Sequence, residues 1–112
     1  MFARPTLPSA TPADVDDSAL LLDVREPDEW RAGHAVGAVH LPMMSVPARL
    51  DEVPRDRDVV VVCRVGARSA QVVGYLLAQG WDRVRNLDGG MVAWVQAGRA
   101  MASEDGHDPR VI

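Results

Sequence analysis

An α/β fold, a mainly parallel sheet flanked by helices, is predicted by three features of this 112-residue chain. The run VVVV at 59–62 is β-branched throughout, as suits a central strand covered on both faces. LLLDV at 20–24 is a second short, nearly continuous apolar run of the same kind. Around them, strand-like segments alternate with stretches of helical character, the order that generates βαβ crossovers. This length suits one domain spanning residues 1–112, with a core over about 12–100.

The elements follow in order. Prolines at 5, 8 and 12 keep the first dozen residues extended, and Thr11-Pro12-Ala13-Asp14 reads as the cap and first turn of a short helix over 12–18. After the strand at 20–24, Pro27, Asp28 and Glu29 suit a helical first turn, and Gly33 supplies its end. A brief strand at 38–41 precedes Pro42, and a second short helix is expected over 47–53. The strand at 59–62 leads to a helix over 69–79 with apolar residues at 72, 73, 76 and 77 and a stop at Gly80. Gly74 inside that helix costs about 1 kcal/mol against alanine, a hint of close packing. Residues 84–87 form a strand, Gly89-Gly90 a tight turn, and 91–97 a helix around Trp94 closed by Gly98. The polar tail at 102–112 is either loose or docked through Val111 and Ile112.

Charge narrows the partners. Twelve basic and sixteen acidic residues give a net charge of −4, which argues against nucleic acid or an anionic membrane as partner. Every basic residue is arginine, so lysine-based catalysis is excluded. The opening residues carry no apolar signal core, and no run approaches the roughly eighteen apolar residues of a membrane span. A cytoplasmic location is the expectation. One cysteine cannot form an intrachain disulfide, and with no second thiol or histidine cluster beside it, it makes a poor metal site. Neither a metal nor another cofactor is expected.

That cysteine, Cys63, ends the strand at 59–62 and opens CRVGARS. In parallel α/β sheets ligands collect at the carboxyl ends of strands, where Cys63 and Asp23 both fall. Cys63 is either a small hydrophobe finishing a core strand or a nucleophile. The second role needs a stabilised thiolate. A strand-to-helix loop can supply one by turning free N–H groups inward, with Gly66 permitting positive φ and Arg64 and Arg68 raising the local potential.

CRVGARS resembles the active-site loop of single-domain rhodaneses, the thiosulfate sulfurtransferase family. Further segments agree in the family's order over about residues 20–98: LDVRE at 22–26, Glu29-Trp30, Gly33-His34, Gly37-Ala38, Pro42, Gly80-Trp81, Val84, LDGG at 87–90, Trp94 and Gly98. The resemblance implies a rhodanese-like, five-stranded parallel sheet with helices on both faces. It also implies transfer of sulfur from a small anionic donor such as thiosulfate to cyanide or a thiol, a protein thiol included, through a persulfide on Cys63. On that carry-over, main-chain N–H groups from Arg64 through Val65, Gly66, Ala67, Arg68 and Ser69 hold the substrate, and Arg64 and Arg68 orient the anion. Asp23 and Arg25 brace the loop.

Other readings stand beside this one. A rhodanese fold can also act as a protein-to-protein sulfur carrier or docking module. Cysteine-dependent phosphatases and arsenate reductases place five residues between cysteine and arginine, whereas four separate Cys63 from Arg68. The tighter loop suits a single sulfur atom better than a tetrahedral phosphate. Asp23 can simply cap the turn before Pro27. His34 and His40 read as structural hydrogen-bonding residues, Gly89-Gly90 as a turn rather than a phosphate loop, and Trp30, Trp81 and Trp94 as packing residues.

Overall fold

A computed structural model describes residues 7–112. In chain order it contains β1 (Ser9–Ala10), a 3-10 turn (Pro12–Asp14), β2 (Leu20–Asp23), α1 (Pro27–Ala32), β3 (His34–Ala35) and β4 (Val39–His40). Two 3-10 segments (Met43–Ala48 and Leu50–Glu52) lead to β5 (Val59–Val62), α2 (Ala67–Ala78), β6 (Val84–Leu87), α3 (Gly90–Gln96) and β7 (Met101–Ala102). Among the described residues no helix is long and apolar enough to cross a membrane.

Five strands form one parallel sheet in the order β1-β6-β5-β2-β4. The chain leaves β2 for β4 on one side, then crosses back to β5 and continues to β6 on the other. The boundary between β2 and β5 is therefore a topological switch point, where the ends of strands leave a crevice. Asp23 and Val62 are register partners there, so Cys63 emerges beside the end of β2.

Alternation along β5 assigns each residue to a face. Val59, Val61 and Cys63 join Leu22, Val72, Val73 and Leu76 in the core beneath α2. Val60 and Val62 join Leu21, Leu87, Met91 and Trp94 in the core beneath α3. All four valines are fully buried, which explains why the strand tolerates no polar residue. Cys63 is thus turned toward the side of the sheet where α2 begins.

Several expected elements take another form. The helix expected over 12–18 is a single 3-10 turn, Pro12–Asp14. The helix expected over 47–53 is two 3-10 segments, the first opening after Pro42 and containing Pro47, whose missing N–H prevents a regular α-helix. The helix expected from residue 69 begins at Ala67, capped by Gly66 at φ +114°. Within the extended opening, Ser9–Ala10 is an edge strand on β6; residues 1–6 lie outside the described residues. The tail docks. Met101–Ala102 pairs antiparallel with His34–Ala35, Arg110 N–H donates to the Ala32 carbonyl at 2.9 Å, and Val111 packs on the α3-side core. His34 and His40 both stack on the Trp30 indole, at centroid separations of 3.6 and 4.8 Å, and bond to main-chain oxygens of Trp30 and Arg25.

At the end of β2, Asp23 and Arg25 form a wholly buried ion pair. Arg25 Nη2 donates to Asp23 Oδ2 and to the Gly33 carbonyl, each at 2.8 Å, tying the strand end to the exit of α1. Arg25 Nη1 has no acceptor among the described residues, which leaves this cation dependent on Asp23. Asp23→Ala strands a buried guanidinium and is expected to cost about 3–5 kcal/mol of unfolding free energy in urea denaturation. A loss below about 1 kcal/mol would show that the pair is not what holds this corner together.

Candidate active site

The site begins with the direction of peptide groups. The Cys63 carbonyl accepts the Met91 N–H at 2.8 Å, and the Arg64 carbonyl accepts the Val92 N–H at 3.1 Å, both from the start of α3. With these carbonyls committed outward, the following N–H groups are free to face the sulfur. Gly90 makes the approach possible: a Cβ there would lie 2.6 Å from the Arg64 carbonyl carbon, and the residue sits at φ +58°. Gly66, at positive φ, then reverses the chain into α2, and its carbonyl accepts the Ala70 N–H.

Cys63 Sγ sits inside this turn. The Gly66 N–H donates to it at 3.1 Å and the Ser69 hydroxyl at 3.2 Å. Cys63 is only 1% exposed and Ser69 fully buried. Burial opposes ionisation, but the Ser69 hydroxyl together with the N–H groups of Ser69, Gly66 and Val65 outweighs it and holds the thiol below its ordinary value. A buried cysteine of the inert kind would be shifted upward.

The arginines are placed differently from expectation. Arg68 makes a two-point bond to Glu29 of α1, Nη1 to Oε1 at 2.7 Å and Nη2 to Oε2 at 2.9 Å. That hydrogen-bonded pairing holds the Glu29 carboxyl below its usual range and raises Arg68 further, so both stay charged. Arg64 is exposed and turned to the tail, with Nε donating to the Ile112 main-chain oxygen at 3.1 Å. Val65, at the crest of the loop, is 54% exposed, and Ala67 is exposed at the first turn of α2.

Asp23 and Arg25 reach the loop only indirectly. Their side-chain bonds run to each other, to the Arg25 N–H and to Gly33, while Glu29 one turn along α1 makes the contact with Arg68. The main chain is closer, since Val24 N–H donates to the Val62 carbonyl at 3.0 Å. Glu29, Asn86 and Gly90 are site components that sequence reasoning did not assign. Glu29 reads locally as a first-turn acid, which it also is, since its Oε1 accepts the Glu26 N–H at 3.0 Å. Asn86 carries a signal in the sequence: an amide in a strand that pairs on both edges.

The residues present can do nucleophilic chemistry at sulfur without a base. Donors from one short loop converge on the Cys63 thiol and favour its ionised form, beside a guanidinium that is already paired. No group of three or more His, Cys, Asp or Glu side chains able to hold a metal occurs among the described residues.

Comparison with known proteins bears on the family and the fold. A sulfurtransferase of Allochromatium vinosum is 47% identical over 94 residues, spanning 84% of this chain and 87% of that protein. The crystal structure of a rhodanese-related protein from Thermoplasma volcanium superposes with a TM-score of 0.81 at 28% identity, over 87% of this chain and 99% of that one. A NAD-dependent persulfide reductase from A. fulgidus is similar at 33% identity and a TM-score of 0.69, over 79% of this chain but only 16% of that larger one. Residues 10–97 match the rhodanese-like domain. With that match covering most of its length, and the five-stranded parallel sheet and Cys63 loop already in place, the chain belongs to the rhodanese-like domain family and is of the sulfurtransferase or sulfur-carrier kind.

Proposed function

We propose that this protein moves a sulfane sulfur from a small anionic donor such as thiosulfate to a thiophilic acceptor, cyanide or a thiol, through a persulfide on Cys63. The observation that carries this reading is the convergence of the Gly66 N–H and the Ser69 hydroxyl on Cys63 Sγ. In the first step the thiolate attacks the outer sulfur of thiosulfate. A bond forms between Sγ and that sulfur, the bond to the sulfonate sulfur breaks, and its electron pair leaves with sulfite. No proton moves. In the second step cyanide attacks the terminal sulfur, and the electron pair of the broken S–S bond returns to Cys63 as thiocyanate leaves.

The N–H groups of Val65, Gly66 and Ser69 stabilise the charge before attack and remain aimed at the persulfide afterwards. Ala67 and Arg68 begin α2, where unbonded N–H groups and the helix dipole favour an anion. In this reading Arg68 offers its guanidinium edge to the sulfonate while Glu29 fixes its orientation, and Arg64 attracts the donor from the rim. Asp23 and Arg25 keep the strand end rigid beneath the loop.

A carrier that passes the persulfide sulfur to a protein thiol shares the first step. The half-exposed Val65 favours it, because an apolar crest beside the sulfur can rest on a partner surface. Incubation with a sulfur donor separates the two: a carrier holds an adduct about 32 Da heavier with negligible turnover on cyanide, whereas an enzyme discharges it.

Three measurements test the proposal. Cys63→Ser is expected to reduce thiosulfate:cyanide turnover to background, and activity equal to the wild type would end the reading. Arg68→Ala is expected to raise the thiosulfate KM about tenfold, more than it slows discharge by cyanide. The pairing with Glu29→Gln controls for the carboxylate left behind, and an unchanged KM in both variants removes Arg68 from donor binding. Third, kcat/KM should rise with pH through the Cys63 midpoint and then level off, because the thiolate is the reacting form. The Ser69 hydroxyl lowers that midpoint, so Ser69→Ala moves the rising limb to higher pH; a limb that stays in place would show that this hydroxyl does not stabilise the thiolate.

A further inference from the structure

Asn86 stands in β6, between β1 and β5, in register with Val61. Its Nδ2 donates to the Gly66 carbonyl at 3.2 Å, the same oxygen that accepts the Ala70 N–H at 3.1 Å. Its other amide atom, Oδ1, is buried with no donor among the described residues. Turning the amide over would set Oδ1 against the Gly66 oxygen, so the bond to Gly66 fixes the orientation. A buried amide oxygen without a donor is destabilising, and the aliphatic residues of the neighbouring strand avoid that cost. The amide is therefore accounted for by what it holds.

What it holds is one of the two residues that hydrogen-bond the sulfur. Gly66 meets Cys63 Sγ through its N–H and Asn86 through its carbonyl. Glycine at positive φ has the freest backbone available, and a small rotation of its peptide would withdraw the N–H from Sγ. The Ala70 bond is the ordinary first bond of a helix and acts from the α2 side. Asn86 acts from the sheet, where the strand is rigid.

We propose that Asn86 is a positioning residue for the Cys63 thiolate: by binding the Gly66 carbonyl from the sheet side, it keeps the Gly66 N–H on the sulfur. This deepens the sulfur-transfer reading and rests on it only for the use made of the thiolate. Asn86 has no hydrogen bond to Sγ and acts through Gly66.

Cys63 is the only cysteine, so alkylation by iodoacetamide reports this thiol alone. Asn86→Leu keeps most of the volume without the donor, and Asn86→Ala removes both. In both, the alkylation midpoint should move to higher pH, with reactivity at pH 7 falling about threefold or more while the circular dichroism of the folded protein is retained. A midpoint equal to the wild type in either folded variant overturns the proposal. The wild type supplies a second measurement that needs no variant to fold. Followed by 15N NMR, the Asn86 side-chain amide should shift with the Cys63 titration and move again on alkylation, and an amide indifferent to the thiol's charge overturns the proposal equally. Neither experiment uses a sulfur donor, so absent sulfurtransferase activity leaves this inference readable, and an unmoved midpoint leaves sulfur transfer standing.

Discussion

A peptide group cannot turn its oxygen and its N–H to the same side, and the site depends on that constraint. The start of α3 accepts no compromise: its Met91 and Val92 N–H groups take the carbonyls of Cys63 and Arg64. The oxygens of Cys63 and Arg64 are therefore committed to α3, and the N–H groups on the same two peptides, those of Arg64 and Val65, are turned the opposite way. A glycine at 90 lets the two backbones meet, and a glycine at 66 lets the chain turn into α2. The cradle is consequently a property of how β5, α2 and α3 are joined, more than of any side chain within it.

The constraint also resolves the tension between burial and reactivity. A thiol that is 1% exposed and ends an all-valine strand has the surroundings of a core residue. Desolvation alone would keep it protonated. Because the Ser69 hydroxyl is buried with it and the Gly66 N–H partly so, the low dielectric that penalises the charge also strengthens the bonds that stabilise it. The parity of β5 matters here. Cys63 shares a face with Val59 and Val61, and one residue of slip would turn the thiol toward α3, away from Ser69.

Much of this was legible in the chain, and the part that was not has a common cause. Local pattern sufficed for β2 and β5, where burial on both faces leaves an unmistakable apolar run, and also for β6, for the helix after Cys63 and for the placement of Cys63 and Asp23 at strand ends. Prolines explain the misreadings of local structure: Pro12 and Pro47 look like first-turn residues, yet only 3-10 turns form around them. The apolar stripe of α2 begins at Val72, so pattern alone points to a start near 69, whereas Gly66 caps a first turn whose one fully buried side chain is the polar Ser69. The connections within the site are of another kind. Glu29 bonds Arg68 across 39 residues, Asn86 bonds Gly66 across 20, and Arg64 meets Ile112 across 48. No spacing rule encodes such pairs; they follow from which strands become neighbours.

Those long-range pairs change how charge works at the site. Read from the sequence, Arg64 and Arg68 are two free cations beside a thiol. In the fold, Arg68 is matched by Glu29 and Arg64 is held at the rim by the tail, so the field over the sulfur is weaker than two arginines suggest. Among the described residues, the groups that reach Sγ are main-chain donors and one hydroxyl. Such donors need no rearrangement when charge arrives, whereas on the proposed reading Arg68 shares its edge between Glu29 and a donor anion. On the proposed sulfur-transfer reading, discrimination lies chiefly in the size of the turn: only four residues separate Cys63 from Arg68, and the guanidinium paired with Glu29 stands where it can orient the rest of a donor.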